Sequence, residues 1–481
     1  MDFKFESMKY IDDNRDLVCD VSKKVWEYAE LSLMEYKSME LFCKVLEECG
    51  FDVEKGICGI ETAFSGSFGS GKPIIGILAE YDALSGLSQV GGETEKKELV
   101  KGGNGHGCGH SMLGAGSLAA ALGIKKYLES SRKSGTVILY GCPGEEGGAG
   151  KAFMAREGLW SKLDAALTWH PGDSNEVSSG SSTSSIQIEY RYKGVASHAA
   201  GCPELGRSAL DAVELLNIGV QYLREHIPKT ASVHYAMIDG GGVSPNVVQP
   251  TASVLYMIRD TTVKNNLKLV DRVDNIAKAA ALMTDTTMER VFIDGTADTV
   301  PNNELEKLMY ENFKYVGAPK YDEGEIEYAG KLKQTYDYIP DELPGSGTNL
   351  NSEIKNQVEK IYHSGNKIIN DFIIPHVPND YRSPGSTDVG DVSWLTPTAQ
   401  IRVVCYPHNS PGHSWQNVSC GITSIADKGL IVAGKVIAGT AIDIFEDPSL
   451  LEKAKKEFIE RTKEGYTCPI PEGVSPIVPG S

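Results

Sequence analysis

The sequence predicts an α/β fold carrying an inserted α+β domain, and three observations support this. Short apolar runs bounded by turn residues alternate with helical patterns at both ends of the chain, as in a parallel sheet covered by helices. The middle reads instead as half-exposed, alternating strands in the order β-α-β-β-α-β, the ferredoxin-like arrangement. The return of α/β patterning after this stretch makes it an insertion. The expected division is 1–184 and 299–481 for the two parts of one catalytic domain, with 185–298 inserted between them.

In the first part, the apolar run within "KPIIGILAEYDAL" (74–79) suits a strand buried on both faces. "GSLAAALGIKKYLE" (116–129) has helical composition and period. "GTVILYGCPGEEGG" reads as a second buried strand (136–142) ending in a Gly/Pro turn, and "DAALTWHPG" as a third. A polar linker, "GDSNEVSSGSSTSS", precedes the change of pattern. "SIQIEYRYKG" places Ile186, Ile188, Tyr190 and Tyr192 on one face, and Gln187, Glu189 and Arg191 on the other. A helix over 206–227 follows, with Ala209, Ala212, Val213, Leu216, Val220 and Leu223 on one stripe. "SVHYAMIDGG" and "TASVLYMIRD" read as strands, "KLVDRVDNIAKAAALMT" as a helix and "TMERVFIDG" as a strand. The last part contributes a helix at "NNELEKLMYENFKYVG", a strand at 399–406 and a closing helix at 424–445. Residues 318–382 are acidic and tyrosine-rich, read as irregular, and carry no assigned role.

Composition narrows the function. The 481 residues are 41% hydrophobic and 23% charged, ordinary for a soluble globular protein. A net charge of −18 argues against nucleic acid or an anionic membrane as partner. The first residues lack the apolar core of a signal peptide, and no apolar run approaches the roughly 20 residues of a membrane span. The expected compartment is the cytoplasm, where the ten scattered cysteines would be reduced.

Chemistry concentrates at predicted strand ends, where open α/β sheets place their sites. Asp82 follows the first strand, Glu145 and Glu146 the second, and His170 the third, while His408 and His413 follow the strand near 400–405. "GNGHGCGHSMLGAG" adds His106, Cys108 and His110 in a glycine loop before a helix. Each alone has an ordinary reading: a satisfied structural histidine, a solvated glutamate pair, a buried thiol. Cys108 and His110 are too close together for a structural zinc knuckle. A cysteine–histidine dyad remains open, but needs neither a carboxylate pair nor further histidines. A hydrolytic metal site uses the whole set, since thiolate, imidazole and carboxylate all ligate zinc-like ions. Adjacent glutamates then divide into one ligand and one general base facing the attacking water.

The stretches "GHGCGHSMLG", "GCPGEEGGAGKAFM", "ALTWHP", "KGVASHAAGCPELGRSALDAVELL", "GGGVSPNVVQ" and "GSTDVGDVSW" resemble the aminoacylase and carboxypeptidase-G-type metallopeptidase family, from about residue 10 to 475. The resemblance implies a two-metal exopeptidase-type catalytic domain with a ferredoxin-like dimerisation lid. It implies two divalent ions, zinc or manganese, held by Cys108, His110, Glu146, His170 and His413, with Glu145 as general base. Asp82 matches an acid that orients the cluster, and His198 a lid histidine that steadies the oxyanion in the partner subunit's site. Asn246, Arg259, Gly385, Ser386 and Thr387 match substrate-contacting positions. Where other branches carry His-x-Asp this chain has "AEYDAL", which points to the amidohydrolase branch.

The reaction the resemblance implies is hydrolysis of an N-acyl or N-aroyl amino acid, with 4-aminobenzoyl-glutamate as the expected substrate; Arg259, which can grip a carboxylate with two hydrogen bonds, suits the glutamate. Open alternatives are an aminoacylase or dipeptidase of other preference, a non-catalytic subunit of a hetero-oligomer, and a thiol hydrolase using Cys108. The expected partners are the small-molecule substrate and a second subunit, identical or related, joined through the lid.

Overall fold

The computed structural model describes residues 2–338, 342–345, 352–365 and 367–477. Three helices open the chain: α1 (Phe3–Asp13), α2 (Arg15–Tyr28) and α3 (Tyr36–Glu48). Then come β1 (Asp52–Lys55), β2 (Phe64–Ser70), β3 (Ile74–Ala79), α4 (His110–Ser131), β4 (Gly135–Gly141), α5 (Gly150–Arg156), β5 (Ala165–Gly172) and β6 (Glu176–Ser178). The middle holds β7 (Ser184–Lys193), α6 (Ala209–Arg224), β8 (Ser232–Asp239), β9 (Thr251–Asp260), α7 (Val263–Thr284) and β10 (Thr287–Thr296). The remainder is α8 (Asn303–Val316), α9 (Glu323–Lys333), α10 (Ser352–Ser364), α11 (Val389–Ser393), β11 (Thr398–Val404), α12 (Trp415–Cys420), α13 (Ser424–Glu446) and α14 (Pro448–Arg461).

The first sheet has seven strands in the order β1-β2-β4-β3-β5-β11-β6. Its centre, β4-β3-β5-β11, is parallel. The expectation of a parallel sheet needs correction at the edges, where β1, β2 and β6 pair antiparallel. These edge strands are short or polar, "DVEK", "FSGSFGS" and "EVS", so they lack the apolar run that betrays a strand buried on both faces. α4 is buried on nearly every side, against the sheet and against α1, α2 and α13, which explains its small, apolar sequence.

The second sheet has the order β10-β7-β9-β8, with every pairing antiparallel. Ile186, Ile188, Tyr190 and Tyr192 are buried in one core with the apolar stripes of α6 and α7. The other face of β7 and β9 carries Ser185, Gln187, Met257 and Arg259, and it fronts a cavity beside the first sheet.

Residues 318–382 are not irregular, as their composition suggests, because α9 and α10 lie within them. α9 starts at a capping box in which the Asp322 carboxylate accepts from the Glu325 N–H and the Glu325 carboxylate from the Asp322 N–H. α10 buries only Ile354 and Val358, an apolar stripe too thin to stand out among its charges.

Candidate active site

The central parallel strands deliver their polar residues to one edge of the first sheet. Glu80 and Asp82, both buried, follow β3. Glu145 and Glu146 follow β4, His170 lies near the end of β5, and His408 and His413 follow β11. The glycine loop brings in Cys108 and starts α4 at His110. Gly109 sits at φ +93°, and a side chain there would collide with the Tyr406 hydroxyl, so only glycine fits. The Asn417 amide holds the loop by donating to the Gly107 carbonyl at 3.1 Å.

Two imidazoles have their tautomer set by their partners. His110 Nδ1–H donates to Asp82 Oδ1 at 2.7 Å, and His170 Nδ1–H donates to the Pro171 carbonyl at 2.7 Å. Both acceptors lack a proton to give, so in the neutral ring each Nε2 is left with a lone pair. His110 Nε2 is buried without a hydrogen-bond partner among the described residues, 3.3 Å from Glu80 Oε2 and 3.9 Å from a carboxylate oxygen of each of Glu145 and Glu146. His170 Nε2 lies 3.4 Å from Cys108 Sγ. Glu146 Oε1 is likewise buried and without a hydrogen-bond partner, 3.6 Å from His413 Nε2. His413 adopts φ 50°, a left-handed conformation that costs energy away from glycine and gathers at functional sites.

Three overlapping groups have donor atoms within 4.8 Å of one another: Cys108, His110 and His170; Cys108, Glu146 and His413; Glu80, His110 and Glu145. Converging sulfur, nitrogen and oxygen donors, two of them orphaned, fit divalent ions of the zinc type. Two histidines of the sequence set serve elsewhere. His106 Nε2 bonds the Val25 carbonyl at 3.0 Å, and His408 Nδ1 bonds the Asn370 amide at 3.1 Å.

Burial disfavours a second proton on His110, but Cys108 and Asp82 outweigh it and hold the imidazole well above its ordinary value. A divalent ion held there would compete with that proton for Nε2. Burial, aided by the charge of His110, brings His170 down to about 4, so its imidazole is neutral at physiological pH. Burial pushes the Cys108 thiol up to about 12 despite His110. A thiol in that state is not a ready nucleophile, which weighs against the thiol-hydrolase alternative. For Asp82, burial is outweighed by His110, which holds the carboxyl at about 2. Glu145 is held well above the usual carboxylate range, first by burial and then by the charge of Glu80.

Sequence reasoning missed a buried ion triad under this cluster. Lys151 Nζ lies 2.7 Å from Glu80 Oε1 and 2.6 Å from Asp388 Oδ1, and the Lys151 N–H donates to Asp388 Oδ2 at 2.9 Å. Glu80 was legible, two positions before Asp82 in "AEYDAL". Lys151 was not, because a lone lysine after glycines looks solvated.

The cavity has a volume of about 550 Å³. Cys108, Glu145, Glu146, His170 and His413 line it, together with Arg259, Gly385, Ser386 and Thr387. His198 and Asn246 are not among its lining residues. They lie in adjoining loops of the second sheet, where the Ala199 N–H donates to the Asn246 carbonyl at 3.0 Å.

Residues 76–299 match peptidase family M20/M25/M40. The chain is 42% identical to one subunit of the p-aminobenzoyl-glutamate hydrolase of Escherichia coli (strain K12), over 98% of this chain and 99% of that one. The chain belongs to peptidase family M20/M25/M40. An Xaa-Arg dipeptidase of Mus musculus is 26% identical over 95% of this chain and 92% of its own. A solved dinuclear metal-binding M20 peptidase of Bacillus subtilis shares the fold at a TM-score of 0.55, with 16% identity over 90% of this chain and 99% of its own. As an M20 member the chain is a metallo-amidohydrolase acting on amide bonds. Among the described residues, no helix is long and apolar enough to cross a membrane.

The triad generates a prediction. Lys151→Met should lower stability to urea by about 3–5 kcal/mol, because Glu80 and Asp388 lose their common cation while still buried. Adding Asp388→Asn should recover part of the loss. A single variant as stable as the parent in equilibrium unfolding would mean that Lys151 does not hold the site.

Proposed function

We propose that this M20 member cleaves 4-aminobenzoyl-glutamate at its amide, releasing 4-aminobenzoate and glutamate. The observation that carries the substrate is the 42% identity, over nearly all of both chains, to the Escherichia coli protein named for that hydrolysis. Arg259, whose buried Nε has no hydrogen-bond partner among the described residues, supports a carboxylated leaving group and disfavours the cationic one of an Xaa-Arg dipeptide.

In this reading Cys108, His110, Glu146, His170 and His413 hold two divalent ions, zinc or manganese, and the sulfur ligand favours zinc. Once bound, such ions polarise the scissile carbonyl and acidify water. Glu145 takes the proton of the attacking water and returns it to the leaving amine. A carboxylate whose surroundings raise its proton affinity suits a group that must carry a proton between two steps. Asp82 orients His110, and the loop at Gly385, Ser386 and Thr387 meets the substrate's carboxylate end.

Residues 185–298 act as a lid and dimerisation domain, in a homodimer or with a related subunit. Support comes from the outer strand β8, whose Tyr235, Met237 and Ile238 are exposed. His198 and Asn246 would then serve the partner's cavity. His198 Nδ1 accepts from the Ala200 and Gly201 N–H groups at 3.2 and 3.0 Å, which puts its proton on Nε2 as a donor for an oxyanion. The ten free cysteines fit the reducing cytoplasm.

The test is hydrolysis of a panel of N-acyl amino acids by purified protein, with metal analysis. Far faster cleavage of N-acyl arginine or neutral amino acids than of 4-aminobenzoyl-glutamate would overturn the substrate. Within that assay, Glu145→Gln should keep its metal and lose about 10²–10⁴-fold in turnover, while Glu146→Gln should also lose metal. The reverse pattern would exchange their roles. His198→Ala should cost about 10²–10³-fold with metal unchanged. Mixing it with Glu145→Gln protein should restore activity through hybrid dimers that keep one whole site. No recovery despite demonstrated subunit exchange would rule out action across the interface.

A further inference from the structure

We propose that Arg402 determines specificity: with Arg259 it forms a two-cation receptor that selects a leaving amino acid bearing two carboxylates. The inference rests on the amidohydrolase reading above and extends it to a residue outside the expected substrate set.

Arg402 lies on β11 opposite His170 of the parallel neighbour β5, so the two side chains share a face of the sheet. Its stem crosses Gly172, where any side chain would collide with Arg402 Cγ and Cδ. Its Nε is buried without a hydrogen-bond partner among the described residues. Arg259 reaches the same cavity from the second sheet, opposite Ser185 of β7, and its Nε is also buried and without a hydrogen-bond partner. Burial alone acts on the Arg259 guanidinium, drawing its pKa down.

Among the described residues these are the only arginines or lysines lining the cavity. The acids there are engaged elsewhere. Asp294 accepts from the Gln187 amide at 2.8 and 3.0 Å, Glu306 from the Ser179 hydroxyl at 2.6 Å, and Asp388 is paired with Lys151 at 2.6 Å. Glu145 and Glu146 face His110. Asp173, which feels the charge of Arg402, accepts from the Asn409 N–H at 2.8 Å. Glu176, opposite Arg402 on the antiparallel neighbour β6, accepts from the Ser174 hydroxyl at 2.9 Å. Among the described residues, two half-buried guanidinium groups thus line one cavity with neither in a salt bridge to a carboxylate. A buried cation without a partner is costly, and a guanidinium fork matches a carboxylate bidentately. Glutamate offers one carboxylate to each.

The experiment compares 4-aminobenzoyl-glutamate with 4-aminobenzoyl-glutamine in the parent, Arg402→Met, Arg402→Gln and Arg402→Lys, with calorimetric binding of free glutamate and glutamine. The parent should favour the glutamate compound. Arg402→Met and Arg402→Gln should lose about 10–100-fold in kcat/KM on it, mostly through KM, with the glutamine compound little changed. Lysine should restore part of the preference. Free glutamate should bind more weakly to the variants while free glutamine does not, at unchanged metal content. A glutamate-to-glutamine ratio the same in variants and parent, or absent in the parent, overturns the proposal; the arginines would then share one carboxylate, or Arg402 would only brace the strand. If the parent cleaves neither compound, the substrate reading fails by itself, and the calorimetric comparison still decides the receptor. Should one variant misfold by thermal melting, the other two carry the comparison.

Discussion

Negative charge gathered in a largely buried cluster is the constraint on which this structure depends. Glu80, Asp82, Glu145 and Glu146 all approach His110, and three of them lie within 4 Å of its Nε2. Carboxylates this close in a low-dielectric setting cannot all stay ionised without cations. The fold supplies Lys151, shared by Glu80 and Asp388, and the Nδ1 proton of His110, shared with Asp82. The sulfur, nitrogen and oxygen donors that still converge fit a divalent-metal site, and the charge of such ions would complete the balance. The glycine loop and the strained His413 follow from the same requirement, because donors from several strand ends must meet within a few ångströms.

The two sheets divide the remaining work. The first presents the donor cluster at the ends of its parallel strands, and the second turns the face opposite its own core toward the same cavity. The alternation of β7 separates these tasks residue by residue: Ile186 and Ile188 pack inward, while Ser185 and Gln187 face the cavity. One strand therefore anchors the second sheet and lines the cavity at once. In the proposed mechanism the cavity is completed by a partner's copies of His198 and Asn246, which would make assembly a condition of turnover and not only of stability.

Strongly periodic segments were legible in the sequence. β3, β7 and β9 lie where the apolar runs and the alternation put them, and the β10-β7-β9-β8 order follows the ferredoxin-like reading. The donor residues were legible because an α/β sheet sends unusual side chains to one edge. Other features depend on tertiary context that pattern does not carry. The polar edge strands β1 and β2 exist because β4 offers them a ladder. α10 keeps only a thin apolar stripe. Spacing cannot separate a ligand from a structural pin among His106, Cys108 and His110, and only the bond to the Val25 carbonyl shows that His106 is a pin.

A chain of net charge −18 is at first sight a poor host for the dianionic substrate proposed for it, yet the conflict is one of range. Surface charges are screened over about 8 Å at physiological salt, so most of the acidic exterior is not felt inside the cavity. Inside, the local dielectric is low, and in the proposed receptor Arg259 and Arg402 would act at contact distance, where a guanidinium–carboxylate pair gains most. The acids that could cancel them, Asp294, Glu306 and Asp388, are engaged by Gln187, Ser179 and Lys151. In the proposed receptor, Arg259 and Arg402 are thereby left to the substrate. The exterior charge then governs solubility and the rate of approach, while the interior sets which leaving group is held.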